Sequence, residues 1–139
     1  MIRLDTSAYT VPTDAPEGDG TFAWTSTTLV LVRATDGDAT GLGWTYGPAA
    51  VVSIVDDLLA AEVASVDSDD VPAAWLAMQQ RLRNAGRPGV GGLALSAVDC
   101  ALWDPGGTLL MYATQMMFFT FPDGPPGPER RRAPEIAGD

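Results

Sequence analysis

The 139-residue chain has no histidine, no lysine and a single cysteine. Chemistry that needs a histidine or lysine side chain is therefore closed to it. One cysteine cannot make an intrachain disulfide. Cys100 lies in an apolar segment and reads as a small core hydrophobe rather than a reactive thiol. Positive charge is also scarce. All eight cations are arginine, set against eighteen acids, for a formal net charge of −10. Residues 1–104 hold five arginines against fourteen acids, and residues 105–139 hold three against four. An acidic body without a basic face argues against nucleic acid or an anionic membrane as partner.

Long hydrophobic runs are missing too. Thr108 to Phe121 carries no charge, but it falls short of the ~20 residues of a spanning helix. The start, Met1-Ile2-Arg3-Leu4-Asp5, has no charged leader followed by an apolar run, so no signal peptide is expected. The expectation is a soluble, cytoplasmic chain. With 46% apolar residues, a single globular body with a core is expected rather than disorder.

Three strands are predicted first. Ile2 to Val11 alternates weakly and reads as a strand. Pro12 to Gly20, with two prolines, two glycines and three acids, reads as a loop. Thr27 to Ala34 is rich in β-branched residues and reads as a buried strand. Asp36-Gly37-Asp38 is a turn, and Thr40 to Tyr46 returns antiparallel.

After Gly47-Pro48 the period changes. Val51, Ile54, Val55, Leu58 and Leu59 mark one face of a helix, with Pro48 suited to its first turn. Ser65 to Asp70 is an acidic loop. Asp70 is placed to cap a second helix, with Pro72 in its first turn and Val71, Trp75, Met78 and Leu82 as its apolar face. Arg81 and Arg83 suit its last turn, and Gly86 ends it. A third helix is predicted from about Gly92 to Asp104. Leu93, Leu95, Ala97, Val98, Ala101 and Leu102 make it apolar nearly all round, which implies burial on more than one side. Pro105-Gly106-Gly107 breaks it. An apolar run through Met116 to Phe121 follows, and Pro122 to Asp139 reads as disordered. The pattern is α+β: a three-stranded antiparallel meander followed by a helical bundle, over residues 1–104, with a divergent tail over 105–139.

Four strings sharpen this. They are Thr27-Thr28-Leu29-Val30-Leu31-Val32, Gly41-Leu42-Gly43-Trp44-Thr45-Tyr46-Gly47, Arg83-Asn84-Ala85-Gly86-Arg87-Pro88-Gly89 and Ser96-Ala97-Val98-Asp99-Cys100-Ala101-Leu102-Trp103-Asp104. Together they resemble the N-terminal capping domain of the mandelate racemase and muconate lactonizing enzyme family, in the enolase superfamily. The resemblance covers roughly residues 1–104. It implies a racemase, cycloisomerase or acid-sugar dehydratase whose second domain is a barrel. In that family barrel carboxylates hold Mg²⁺, and a barrel lysine or histidine removes a proton next to a substrate carboxylate. This sequence departs from the family at Pro105. Only thirty-five residues follow Asp104, against roughly 200 or more for a barrel. A truncated or frame-shifted product is the corresponding expectation. No catalytic residue, metal ligand or cofactor is expected in the chain itself. The implied partners are the missing barrel domain or a homologous subunit, and in the parent a small carboxylate-bearing molecule. A standalone acidic protein-binding module, or a subunit that pairs with a separately encoded barrel, is the alternative.

The resemblance also implies which residues cap the substrate. Asp14, Ala15, Pro16, Glu17, Gly18, Asp19, Gly20 and Trp24 match the loop that closes over the site and excludes water. Trp44 and Tyr46 match the second capping loop and either wall the pocket or pack into the core. Asp14, Glu17 and Asp19 lack any metal-ligand spacing. Asp67-Ser68-Asp69-Asp70 lacks the glycine and glutamate of a calcium loop. Gly89-Val90-Gly91-Gly92 lacks the order of a phosphate-binding turn. Asp99 and Asp104 read as structural, at the interface with the missing barrel.

Overall fold

In a computed structural model, residues 1–104 are described. Expectations for residues 105–139 lie outside the described residues. Three strands and a set of helices follow in the predicted order. β1 is Arg3–Gly18, β2 Ala23–Asp36 and β3 Ala39–Tyr46. The sheet order is β1-β2-β3. β2 and β3 pair antiparallel, with Leu29 opposite Tyr46 and Asp36 opposite Ala39. Gly37 closes their turn with φ of +59°, a conformation glycine adopts without cost.

The stretch read as a loop is strand instead. β1 runs on through Pro12 and Pro16 to Gly18. The two prolines do not break it because β1 is an edge strand. An edge strand has one side whose N–H groups need no strand partner, and there proline's missing donor costs no ladder bond. The described residues divide into two compact units: Met1–Pro12 with Ser26 onward, and Thr13–Thr25. Each is described on its own.

In the first unit, the alternation of β2 and β3 sets one sheet face inward. Val30, Val32 and Ala34 of β2 and Gly41, Gly43 and Thr45 of β3 are buried. The helical part begins with α1 (Ala50–Ile54), passes through a π turn (Val55–Leu59) and continues as α2 (Ala60–Ala64). Val51, Val55, Leu59 and Val63 are all fully buried. A four-residue step overshoots a 3.6-residue turn by about 40°, so three steps drift by about 120°. A wider π turn takes up much of that drift and keeps the four side chains on the core. No helix-period reading of the sequence reveals it.

α3 is Val71–Arg81 and α4 is Val90–Trp103. The Asp70 cap forms as expected: its Oδ1 accepts the Ala73 N–H at 3.0 Å. The apolar face of α3 is Val71, Ala74 and Met78, continued by Leu82. Trp75, expected in that face, is 38% exposed. It sits on the shoulder of the stripe, where Ala74 takes the inward position. α4 packs on β3, α1, α3 and the π turn, so its nearly uniform apolarity matches burial on several sides. Small residues make the close approach. A methyl at Gly41 or Gly43 would run into the carbonyls of Ala101 or Ala97. None of the described helices is long and apolar enough to cross a membrane.

Candidate functional site

The unit Thr13–Thr25 is the far end of the β1–β2 hairpin and holds most of the predicted capping residues. Asp14, Ala15, Pro16 and Glu17 are exposed on β1, and Gly18 ends that strand. Asp19 builds the turn. Its Oδ1 accepts from the Thr21 N–H at 3.0 Å, the Thr21 hydroxyl at 2.7 Å and the Phe22 N–H at 3.0 Å. The Asp19 N–H donates to the Phe22 carbonyl at 3.1 Å. Gly20 has φ of +88°, the glycine-first pattern of tight hairpin turns. The hydrogen bond from the Thr21 hydroxyl, with those from the two amides, holds the Asp19 carboxyl below the ordinary carboxylate range.

Next to the turn, Trp24 Nε1 donates to Glu17 Oε2 at 2.9 Å. Phe22 stacks on Trp24, with centroids 6.4 Å apart and planes at 17°. Phe22 is 70% exposed and was not among the predicted capping residues. Its signal was an aromatic two residues before Trp24, just ahead of the start of β2 at Ala23. The segment Thr13–Thr25 contains three acids and no cation. It is therefore a surface of carboxylate acceptors and aromatic faces, fitted to hydroxyl donors and apolar carbon rather than to an anion.

Trp44 and Tyr46 meet on β3, edge to face, with centroids 5.2 Å apart at 73°. Both point away from the helices. Trp44 is half-buried and Tyr46 is 51% exposed, so neither is a core residue. Their cross-strand partners Leu31 and Leu29 extend an apolar strip on the sheet face opposite α4.

The acids of α4 behave differently from each other. Asp99 is half-buried, and burial pushes its carboxyl above the ordinary range, partly offset by a hydrogen bond from the Trp103 side chain. Cys100, expected as a core residue, is half-buried; burial first, then the neighbouring Asp99 charge, raise its thiol pKa, which makes it a poor nucleophile. Asp104 is buried, and its Oδ2 accepts the Leu42 N–H at 2.9 Å. It ties the end of α4 to β3.

Arg81, Arg83 and Arg87 line one open groove of about 630 Å³ with Trp75 and Leu76. The reading that the body has no basic face is corrected at this place. The chain turns at the end of α3 and gathers three of its arginines there. Arg81 is partly answered by Glu62 at 3.7 Å.

Among the described residues, no three histidine, cysteine, aspartate or glutamate side chains converge where they could hold a metal ion. These residues do not fit a magnesium site.

Comparisons with known proteins agree on one relationship. Residues 8–112 match the mandelate racemase / muconate lactonizing enzyme N-terminal domain. The match runs past Asp104 and into the segment beyond Pro105. A 3,6-anhydro-alpha-L-galactonate cycloisomerase of Streptomyces coelicolor is 41% identical over 108 residues, which is 73% of this chain and 30% of that protein. A mandelate racemase/muconate lactonizing enzyme-like protein from Rubrobacter xylanophilus is 55% identical, with a TM-score of 0.70 over 73% of this chain and 28% of its own. A racemase from Streptomyces coelicolor A3(2), solved with bound magnesium, is 39% identical, with a TM-score of 0.71 over 76% of this chain and 31% of its own. The chain thus spans under a third of the length of these relatives.

Proposed function

Because the chain belongs to the mandelate racemase / muconate lactonizing enzyme family through its N-terminal domain, we propose that it is the substrate-capping part of a magnesium-dependent isomerase or lyase. The parent reaction is proton abstraction next to a substrate carboxylate. The body that performs it is a barrel, in the same polypeptide or in a partner subunit. The capping domain in this reading takes in the matched residues 8–112.

The observation that carries the proposal is the family match to a domain that is under a third of its relatives, in a chain with neither lysine nor histidine. The chain's own share is then recognition and shielding. The Thr13–Thr25 hairpin end would lie over the substrate. Its acceptors, Asp14, Glu17 and Asp19, suit hydroxyl groups, and the Phe22–Trp24 stack offers apolar area that excludes water. Nothing in this segment would hold the substrate's carboxylate by charge, so that end of the molecule faces the other domain. In the first unit, Trp44 and Tyr46 offer an aromatic surface of their own. The cycloisomerase relative points to a polyhydroxylated sugar acid as the substrate class.

In this reading the isolated chain is inactive. The test is a turnover assay of the purified 139-residue protein with magnesium and a panel of sugar acids. No turnover above background is expected. Magnesium-dependent racemisation, dehydration or cycloisomerisation by this chain alone would overturn the proposal.

A further inference from the structure

Asp104 presents an unusual account of its hydrogen bonds. It is 7% exposed. Its Oδ2 is taken by the Leu42 N–H, yet among the described residues its Oδ1 has no partner. A buried carboxylate oxygen without a donor bears its full desolvation cost, and buried polar atoms of native proteins nearly always have a partner. Asp104 also lines a cavity of about 350 Å³ whose walls include Asp36, Thr40, Ser68, Asp69 and Trp103. No cation lines it. Asp36 is already answered by the Met1 ammonium at 2.7 Å and by Ser68. Among the described residues, neither Asp69 nor Asp104 has a cationic partner. The cavity is far larger than one water needs, and apolar walls from Ile2 and Leu102 suit an aliphatic stem.

We propose that this cavity is a socket for an arginine side chain carried by the protein body that covers the domain, with the guanidinium donating to Asp104 Oδ1. Charge selects a cation. The lack of a converging ligand set among the described residues argues against a metal. Between the two organic cations, guanidinium is the less strongly hydrated and brings a rigid fork of donors. Asp104, Asp69 and the exposed Trp103 all line the cavity, so carboxylates for the fork and an aromatic ring for a planar cation occur in the same walls. The inference rests on the capping reading only for what carries the arginine. The socket is a property of this chain and is tested on it alone.

The experiment is a ¹H–¹⁵N titration of the whole chain with methylguanidinium chloride, beside n-butylammonium and magnesium chlorides at matched ionic strength. Saturating shifts of the Thr40 and Leu42 amides and the Trp103 indole are expected with methylguanidinium. Asp104→Asn keeps an acceptor for the Leu42 N–H but loses the charge, and should weaken binding at least tenfold. Asp69→Asn, at an exposed position, should weaken it several-fold and serves as the deciding variant if Asp104→Asn does not fold. Three results would each overturn the proposal: no saturable shift, equal response to butylammonium, or a response to magnesium that the guanidinium does not give. Failure here leaves the capping reading standing, since turnover assays do not depend on it.

Discussion

Gly43 of β3 lies so close to Ala97 of α4 that a methyl group on Gly43 would fall within the Ala97 carbonyl oxygen. The obstacle is backbone, which cannot swing aside as a side chain would. Gly43→Ala therefore has to push α4 off the sheet. The expected cost is at the upper end of the roughly 1–3 kcal/mol typical of overpacking, or a melting temperature lower by roughly 10 °C or more. Gly37→Ala is the control. It has open space around it but φ of +59°, so it should cost only about 1 kcal/mol. Thermal melts of the two variants check the order. Equal losses would mean the α4–β3 approach is not close.

Asp99 should make stability pH-dependent in a defined direction. Burial raises its folded pKa above the unfolded value. The folded state then binds its proton more tightly, and the unfolding free energy falls as pH rises through the window between the two values. The cost is absent below the ordinary carboxylate pKa of about 4 and complete above the raised folded one. Asp99→Asn should accordingly be more stable than the parent chain at neutral pH and no more stable at acid pH. Urea melts across that range test it, and a benefit that grows toward acid would contradict the account.

The Asp19 turn carries the opposite sign. Its folded pKa lies below the ordinary value because the ionised carboxylate accepts three hydrogen bonds. Its contribution is present above the unfolded pKa and is lost as pH falls through the depressed folded one. The amide shifts of Thr21 and Phe22 should hold steady down through the usual carboxylate range and move only below it. Asp19→Ala should abolish that step and speed hydrogen exchange at both amides at every pH.

Removing the Asp70 cap should be a local matter. The Asp70 side chain satisfies the Ala73 N–H at the start of α3. Asp70→Ala is expected to cost about 1 kcal/mol, read by chemical denaturation, whereas Asp70→Asn, which still offers an oxygen to that amide, should cost less than half as much. Identical losses from the two would place the effect elsewhere than in the cap.

Period and turn chemistry made most of the fold legible. β2, the Gly37 turn, β3, the Asp70 cap and the many-sided burial of α4 follow from residues that agree with their surroundings locally. The hairpin arm was not legible, because Pro12 and Pro16 signal a loop unless it is known that β1 is an edge strand. The π turn was hidden because Val51, Val55, Leu59 and Val63 fit an α-helical stripe over any two turns and diverge from it only over four. Trp75 misled for a related reason: it lies within the apolar window of α3, but the smaller Ala74 takes the core position. Of the candidate site, Glu17, Asp19 and Trp24 do come together at the hairpin end. Phe22 was passed over because it lies between the loop ending at Gly20 and the strand predicted from Thr27, and its stack on Trp24 shows only in the structure. The basic groove of Arg81, Arg83 and Arg87 was obscured by the net charge, which averages over faces.

The most direct test of the central claim is a chimera. Residues 1–104 of this chain would replace the matching N-terminal segment of the Streptomyces coelicolor cycloisomerase relative, and turnover of that enzyme's own substrate would be measured with and without magnesium. The account predicts a folded enzyme that turns over with magnesium, and loses most of its rate when Phe22 and Trp24 are both changed to alanine. A folded chimera that binds metal but shows no turnover, or one indifferent to the loss of both rings, would contradict the claim that this chain is a substrate-capping domain.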